Sequence, residues 1–153
     1  GSVVGEGDER EALELQIRQL GLQDKVTLLG LIKNPWPHYG AADVFLLPSR
    51  WEGLPNVVLE SLACGTPAIA MAGAGGIDEI AALARPGTLS IAPSMEDFLS
   101  ILSTVKPSPT AVFRPSLLPE NFFLTKVIKE FSALLEEKMT VIDIIKYPFS
   151  PDG

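Results

Sequence analysis

Glu52 and Glu60 are the two carboxylates of the segment Glu52-Gly-Leu-Pro-Asn-Val-Val-Leu-Glu60. The first lies beside Gly53 and Pro55, where the chain reads as a loop. The second lies in the run Val57 to Cys64, which reads as a short apolar helix ended by Gly65. A Glu in such a helix is costly to bury unless something pairs with it. A helix start directly after a Gly/Pro loop presents free N–H groups and the positive end of the dipole, which suits an anion. Pro55 has no N–H and only shapes the turn, whereas Leu54 and Asn56 keep their amide donors. A loop carboxylate, an anion-binding helix start and a helix carboxylate together suit a ligand that carries both phosphate and sugar hydroxyls.

Those residues need a scaffold, and the hydrophobic pattern supplies one. Val3-Val4 ends a strand that runs into Gly5-Glu6-Gly7. Glu9 to Leu20 carries Ala12, Leu13, Ile17 and Leu20 at helical spacing, and Gly21 stops it. Strands are predicted over Val26 to Leu29, Val44 to Leu47, Pro67 to Met71 and Thr88 to Ile91. Helices are predicted over Pro35 to Ala42, Ile77 to Leu83 and Ser94 to Val105, the last with a Ser cap. Lys106 to Pro119 holds four prolines and reads as an irregular connection. Glu120 to Lys138 reads as a long amphipathic helix with Phe123, Val127, Phe131, Leu134 and Leu135 on its buried face. Strands alternating with helices predict an α/β fold, a doubly wound parallel sheet of Rossmann-like type, with ligand residues at the carboxyl ends of the strands.

Composition narrows the function classes. A chain of 153 residues, 46% hydrophobic, can bury a core as one domain. A formal net charge of −7 argues against nucleic acid as a partner, which would want a basic face. A single cysteine, Cys64, allows no internal disulfide and fits a reducing compartment. No residue cluster has metal-ligand spacing, no apolar run approaches the length of a membrane span, and no signal peptide is read at the start. His38, the lone histidine, reads as a surface residue of the short helix beside Pro37.

Several segments, in order, carry a resemblance to a known family. They are Val4-Gly-Glu-Gly7, Val26 to Gly30, Ala41-Ala-Asp-Val-Phe-Leu-Leu-Pro-Ser49, the double-Glu segment running on to Ala70, and Gly75-Gly-Ile-Asp-Glu-Ile80. From about Val3 to about Lys138 the chain resembles the retaining glycosyltransferases with two Rossmann-like domains, the GT-B architecture, and within them family 4 with its E-x7-E motif. The resemblance implies that residues 1–138 are most of the C-terminal, donor-binding domain. A further N-terminal domain and a βα unit with diphosphate-gripping Arg and Lys are expected to belong to the same protein. Residues 139–153 form a tail with no assignment.

The resemblance also implies roles. Glu60 matches the residue that accepts the two ribose hydroxyls of the donor nucleotide, a task a carboxylate can do. Glu52 matches the catalytic-site residue beside the donor sugar, where a carboxylate favours oxocarbenium-like charge. Gly53, Leu54 and Asn56 fall where backbone amides approach sugar and diphosphate. Gly30, Leu31 and Ile32 fall at the loop that reads the base, and Gly5 and Gly7 at a glycine turn near the nucleotide whose first role is structural. Asp78 stands where the family commonly has Pro and reads as a helix-start charge.

The implied reaction moves a hexosyl group from a nucleoside diphosphate sugar, UDP-linked, to a sugar, lipid-linked or protein acceptor. It needs no metal and no resident cofactor. The Glu-Gly-Leu-Pro-Asn variant looks like enzymes of bacterial surface-polysaccharide biosynthesis, which implies a cytoplasmic setting with a membrane-bound acceptor at the inner face. A sugar-nucleotide epimerase and a non-catalytic binding domain of the same fold are the alternatives. The chain alone is expected to be catalytically inert and, with apolar sheet surface bared, to self-associate.

Overall fold

The computed structural model describes residues 1–4, 7–49, 56–108 and 114–123. In chain order the elements are β1 (Ser2–Val4), α1 (Arg10–Gln19), β2 (Thr27–Gly30), α2 (Trp36–Ala41), β3 (Phe45–Leu47), α3 (Asn56–Ala63), β4 (Ala68–Met71), α4 (Ile77–Leu83), β5 (Leu89–Ala92) and α5 (Met95–Ser103). A single 3-10 turn, Glu120–Phe122, follows. The alternation expected from the hydrophobic pattern is present, with every ladder parallel.

β4 is the centre of the core. Ala68 pairs with Phe45 on one side and with Leu89 on the other, and all four β4 residues are buried. Successive strand side chains point to opposite faces, so one strand feeds two cores. Ala68 and Ala70 join Leu47, Val58, Leu62, Ala74, Ile77 and Ile80, contributed by β3, α3, α4 and the turn before α4. Ile69 and Met71 join Ala92 and Phe98, from β5 and α5. Alanines form the first face of β4. Larger residues on the second fill the gap to α5. Helices thus cover both faces, which is the doubly wound arrangement. α5 begins as its sequence implies: the Ser94 hydroxyl accepts the Asp97 N–H at 3.1 Å. Asp78 sits in the first turn of α4, where its charge favours the helix dipole, although Gly76 in left-handed conformation is the cap and no side chain bonds there.

Two expectations need correction. The strands form two ladders rather than one continuous sheet. β1–β2 is a two-stranded sheet and β3–β4–β5 a three-stranded one, because no described strand bridges β1 to β3. Periodicity specifies strands but not their neighbours. Second, a helix does not run on from Glu120. The turn closes with the Phe123 N–H on the Glu120 carbonyl, and Phe123 is extended at ψ 128°. Leu117, Leu118 and Phe122 pack onto the first core, and that packing sets the backbone here in place of helical periodicity. The remainder of the expected helix, residues 124–138, and the tail at 139–153 lie outside the described residues.

The proline-rich connection does more than connect. Its Ser108 N–H donates to the Asp43 carboxylate at 2.6 Å. The Arg114 guanidinium donates to the carbonyls of Gly40 and Ala42, the latter at 2.9 Å, where α2 ends with open carbonyls. The Leu117 N–H donates to the Leu62 carbonyl at 2.8 Å. This strap ties the end of α2 to the end of α3. Gly65 lies beneath it with φ +76°, and a Cβ there would stand 2.6 Å from Arg114 Cβ and 2.7 Å from the Pro115 carbonyl oxygen. Only glycine meets both demands.

Candidate functional site

Parallel strands deliver their following loops to one edge, and the described residues among those expected at the site are distributed as follows. Gly7 comes after β1 and Gly30-Leu31-Ile32 at the end of β2. Pairing of Val4 with Gly30 brings these two turns to the same edge of the first sheet. Gly30 is buried and left-handed at φ +69°, a turn that suits glycine. Leu31 is 84% exposed, Ile32 is half-buried and Gly7 is exposed. Asn56 and Glu60 lie one helical turn apart on α3, which follows β3 of the second sheet. Glu52, Gly53, Leu54 and Gly5 lie outside the described residues.

The expectation that Glu60 needs a partner is met by a residue the sequence reading passed over. Tyr39, on α2, donates its phenol to Glu60 Oε2 at 3.1 Å. The ring is held from both sides. It makes edge-to-face contacts with Phe45 at 5.6 Å and with Trp36 at 6.1 Å between centroids. Its backbone is held as well, since the fully buried Thr66 hydroxyl donates to the Tyr39 carbonyl at 2.6 Å. The buried Ser61 hydroxyl in turn donates to the Thr66 carbonyl at 2.9 Å. Ser61 is the chain neighbour of Glu60, so a closed ring of contacts runs from α3 to the turn after it, to α2 and back to the carboxylate.

Burial, and then the hydrogen bond to Glu60 and its negative charge, push the Tyr39 phenol up to about 12. It therefore stays a neutral donor at any physiological pH. The Cys64 thiol is also raised, first by burial and then by Glu60, which leaves it a poor nucleophile. Among the described residues no group of three or more His, Cys, Asp and Glu could hold a metal ion. Two surface concavities lie along α1, one lined by Glu11, Leu15 and Arg18, the other by Ile17, Val26 and Leu28; neither includes Glu60. They reflect a helix that buries none of its residues rather than a ligand cleft. What the arrangement at α2 and α3 can do chemically is accept hydrogen bonds on a fixed, half-buried carboxylate.

Residues 2–106 match the family described as Glycosyl transferases group 1. The chain belongs to this family. Among its glycosyltransferase relatives is an uncharacterized glycosyltransferase of Haemophilus influenzae, 27% identical over 137 residues, a stretch covering 87% of this chain and 39% of that protein. The solved structure of the lipopolysaccharide outer core galactosyltransferase WaaB, in its apo form, superposes with a TM-score of 0.66 at 23% identity, covering 90% of this chain and 40% of that one. Anabaena HepE in complex with UDP-glucose superposes with a TM-score of 0.56 at 27% identity, covering 67% of this chain and 30% of that one. This chain thus spans about two fifths of the Haemophilus relative and of WaaB. The α/β fold with parallel sheets is that of these structural neighbours. No helix among the described residues is long and apolar enough to cross a membrane.

Proposed function

We propose that this chain is the donor-binding part of a retaining, family 4-type glycosyltransferase carrying the E-x7-E motif. The complete enzyme moves a hexosyl group from a UDP-linked sugar to a saccharide or lipid-linked acceptor in surface-polysaccharide synthesis at the inner face of the membrane. Glu60 receives the ribose hydroxyls. Glu52 stands by the donor sugar and favours charge developing at its anomeric carbon. The start of α3, with Gly53, Leu54 and Asn56, receives the diphosphate. Gly30, Leu31 and Ile32 line the base, with Gly5 and Gly7 shaping the neighbouring turn. No metal is required in this scheme. The N-terminal domain of the same protein supplies the other wall of the cleft and the acceptor contacts.

The observation that carries the reading is the Glu60 carboxylate, held by Tyr39 on α3, the helix that follows β3. Group 1 family membership, and the UDP-glucose held by the HepE relative, support the nucleotide sugar as its ligand. The test is titration calorimetry with UDP set beside initial rates in the complete enzyme. Glu60→Gln weakens UDP binding by about 1.5–3 kcal/mol, the range for hydrogen bonds to a charged group. Glu52→Gln acts mainly on turnover. Unchanged UDP affinity in Glu60→Gln removes the ribose assignment. Release of UDP from UDP-sugar only when acceptor is present separates transfer from epimerisation.

A further inference from the structure

We propose that Tyr39 is a positioning residue for donor recognition: by holding Glu60 Oε2 it aims the carboxylate so that Oε1 receives the nucleotide ribose. The inference rests on the ribose reading of Glu60 and extends it to a residue that the family motif does not contain.

Three observations carry it. A Glu side chain has three rotatable bonds, and a half-buried one without an anchor samples several rotamers. Here one oxygen is anchored at 3.1 Å by a donor from a different helix. That donor is itself over-determined. Phe45 and Trp36 fix its ring, and the Thr66 hydroxyl fixes its carbonyl. A side chain needed only to fill space between α2 and α3 could be Phe. The hydroxyl is what reaches the carboxylate. A neutral phenol also suits the task better than a cation would. It supplies a hydrogen bond while leaving the full negative charge on Glu60 to attract two hydroxyl donors. Preorganisation of this kind lowers the ordering cost that the nucleotide would otherwise meet on binding.

The test compares UDP with 2′-deoxy-UDP by calorimetry in the complete enzyme and its variants. In the parent protein the ratio of the two dissociation constants reports recognition of the ribose hydroxyl. Tyr39→Phe keeps the ring packing and removes the anchor. The ratio is expected to fall about fivefold, with UDP weakened more than 2′-deoxy-UDP, which keeps only the 3′-hydroxyl. Tyr39→Leu lacks the same hydroxyl and must show the same fall, so either variant that folds by circular dichroism gives the answer. A residue that merely packs would weaken both nucleotides alike and leave the ratio where it was. Glu60→Gln is run alongside. If it collapses the ratio and Tyr39→Phe does not, the role of Tyr39 is refuted while the ribose reading stands. If Glu60→Gln leaves the ratio intact, the ribose reading fails and the role of Tyr39 falls with it. In the Glu60→Gln background the added change Tyr39→Phe is expected to move the ratio no further, and a further fall there would also overturn the proposal.

Discussion

The unit built on β3, β4 and β5 and the unit built on β1, α1 and β2 have the same local grammar and opposite packing. In the first, Val58, Leu62, Ala70, Ile77 and Ala92 are all sealed from solvent. In the second, Gly30 is the single buried residue among those described, and Val3, Val4, Leu13, Leu15 and Leu20 are 41–61% exposed. Both carry apolar residues at the right periods. The difference is the number of layers. β4 has a strand on each side and helices above and below, whereas β1 pairs with β2 alone. Burial is a property of neighbours, and an amphipathic pattern only states a readiness to be buried. The better-packed unit holds Glu60 and Tyr39, while the open one carries the turns proposed to read the base.

The contrast can be broken from the packed side first. Leu62→Ala, at a fully buried position in the first core, is expected to lower stability by about 2–5 kcal/mol in urea unfolding. A loss under about 1 kcal/mol would show that the core is looser than its burial implies. Gly65→Ala is expected to cost about 1–3 kcal/mol, since it combines a left-handed backbone with a clash against the strap at Arg114 and Pro115. Arg114→Gly removes the Cβ that the new methyl would meet, so the double variant should lose less than the sum of the two.

Alkaline titration sharpens the comparison at the site itself. The folded Tyr39 phenol is pushed up to about 12 against an ordinary 10.0, so the folded state holds its proton more tightly than the unfolded chain. That contribution is fully present below pH 10 and is lost as pH rises from 10 through about 12. Tyr39→Phe should therefore flatten the fall in stability within this window. An unchanged slope there would contradict the Tyr39–Glu60 contact. The smallest effect is expected on the open unit: Leu15→Ala, half exposed on α1, should stay within about 0.5 kcal/mol. Site-resolved amide exchange should show the same order, with Ala68–Met71 protected to the level of global unfolding and Ser2–Val4 exchanging by local opening.

Much of this was legible in the residues. The apolar run before Pro48 and the alternation after it gave β3, α3 and β4 to within a residue or two, because buried parallel strands and capped helices leave local marks. The need for a partner at Glu60 was legible too, from a charge set among Val58, Leu59 and Leu62. Its identity was not, because Tyr39 lies 21 residues away on a helix whose sequence shows no link to α3. The strap was hidden for the same reason: prolines announce irregular backbone but not what that backbone touches. The start expected at Glu120 shows the converse error, where a 3.6-residue pattern was carried through residues 120–123, whose backbone is set by docking of Phe122 on the core.

The strap also orders events in time. Its hydrogen bonds join residues 74, 72 and 65 positions apart, from Arg114 to Gly40 and Ala42 and from Ser108 to Asp43. The Tyr39–Glu60 bond spans 21. Loop closure costs more as the loop lengthens, and long-range contacts are made late. On a ribosome, which adds about 5–20 residues per second, α2 and α3 are synthesised seconds before Arg114. The shorter loop between the tyrosine and its carboxylate is therefore expected to close before the strap does, an order that pulse-labelled amide exchange during refolding would check.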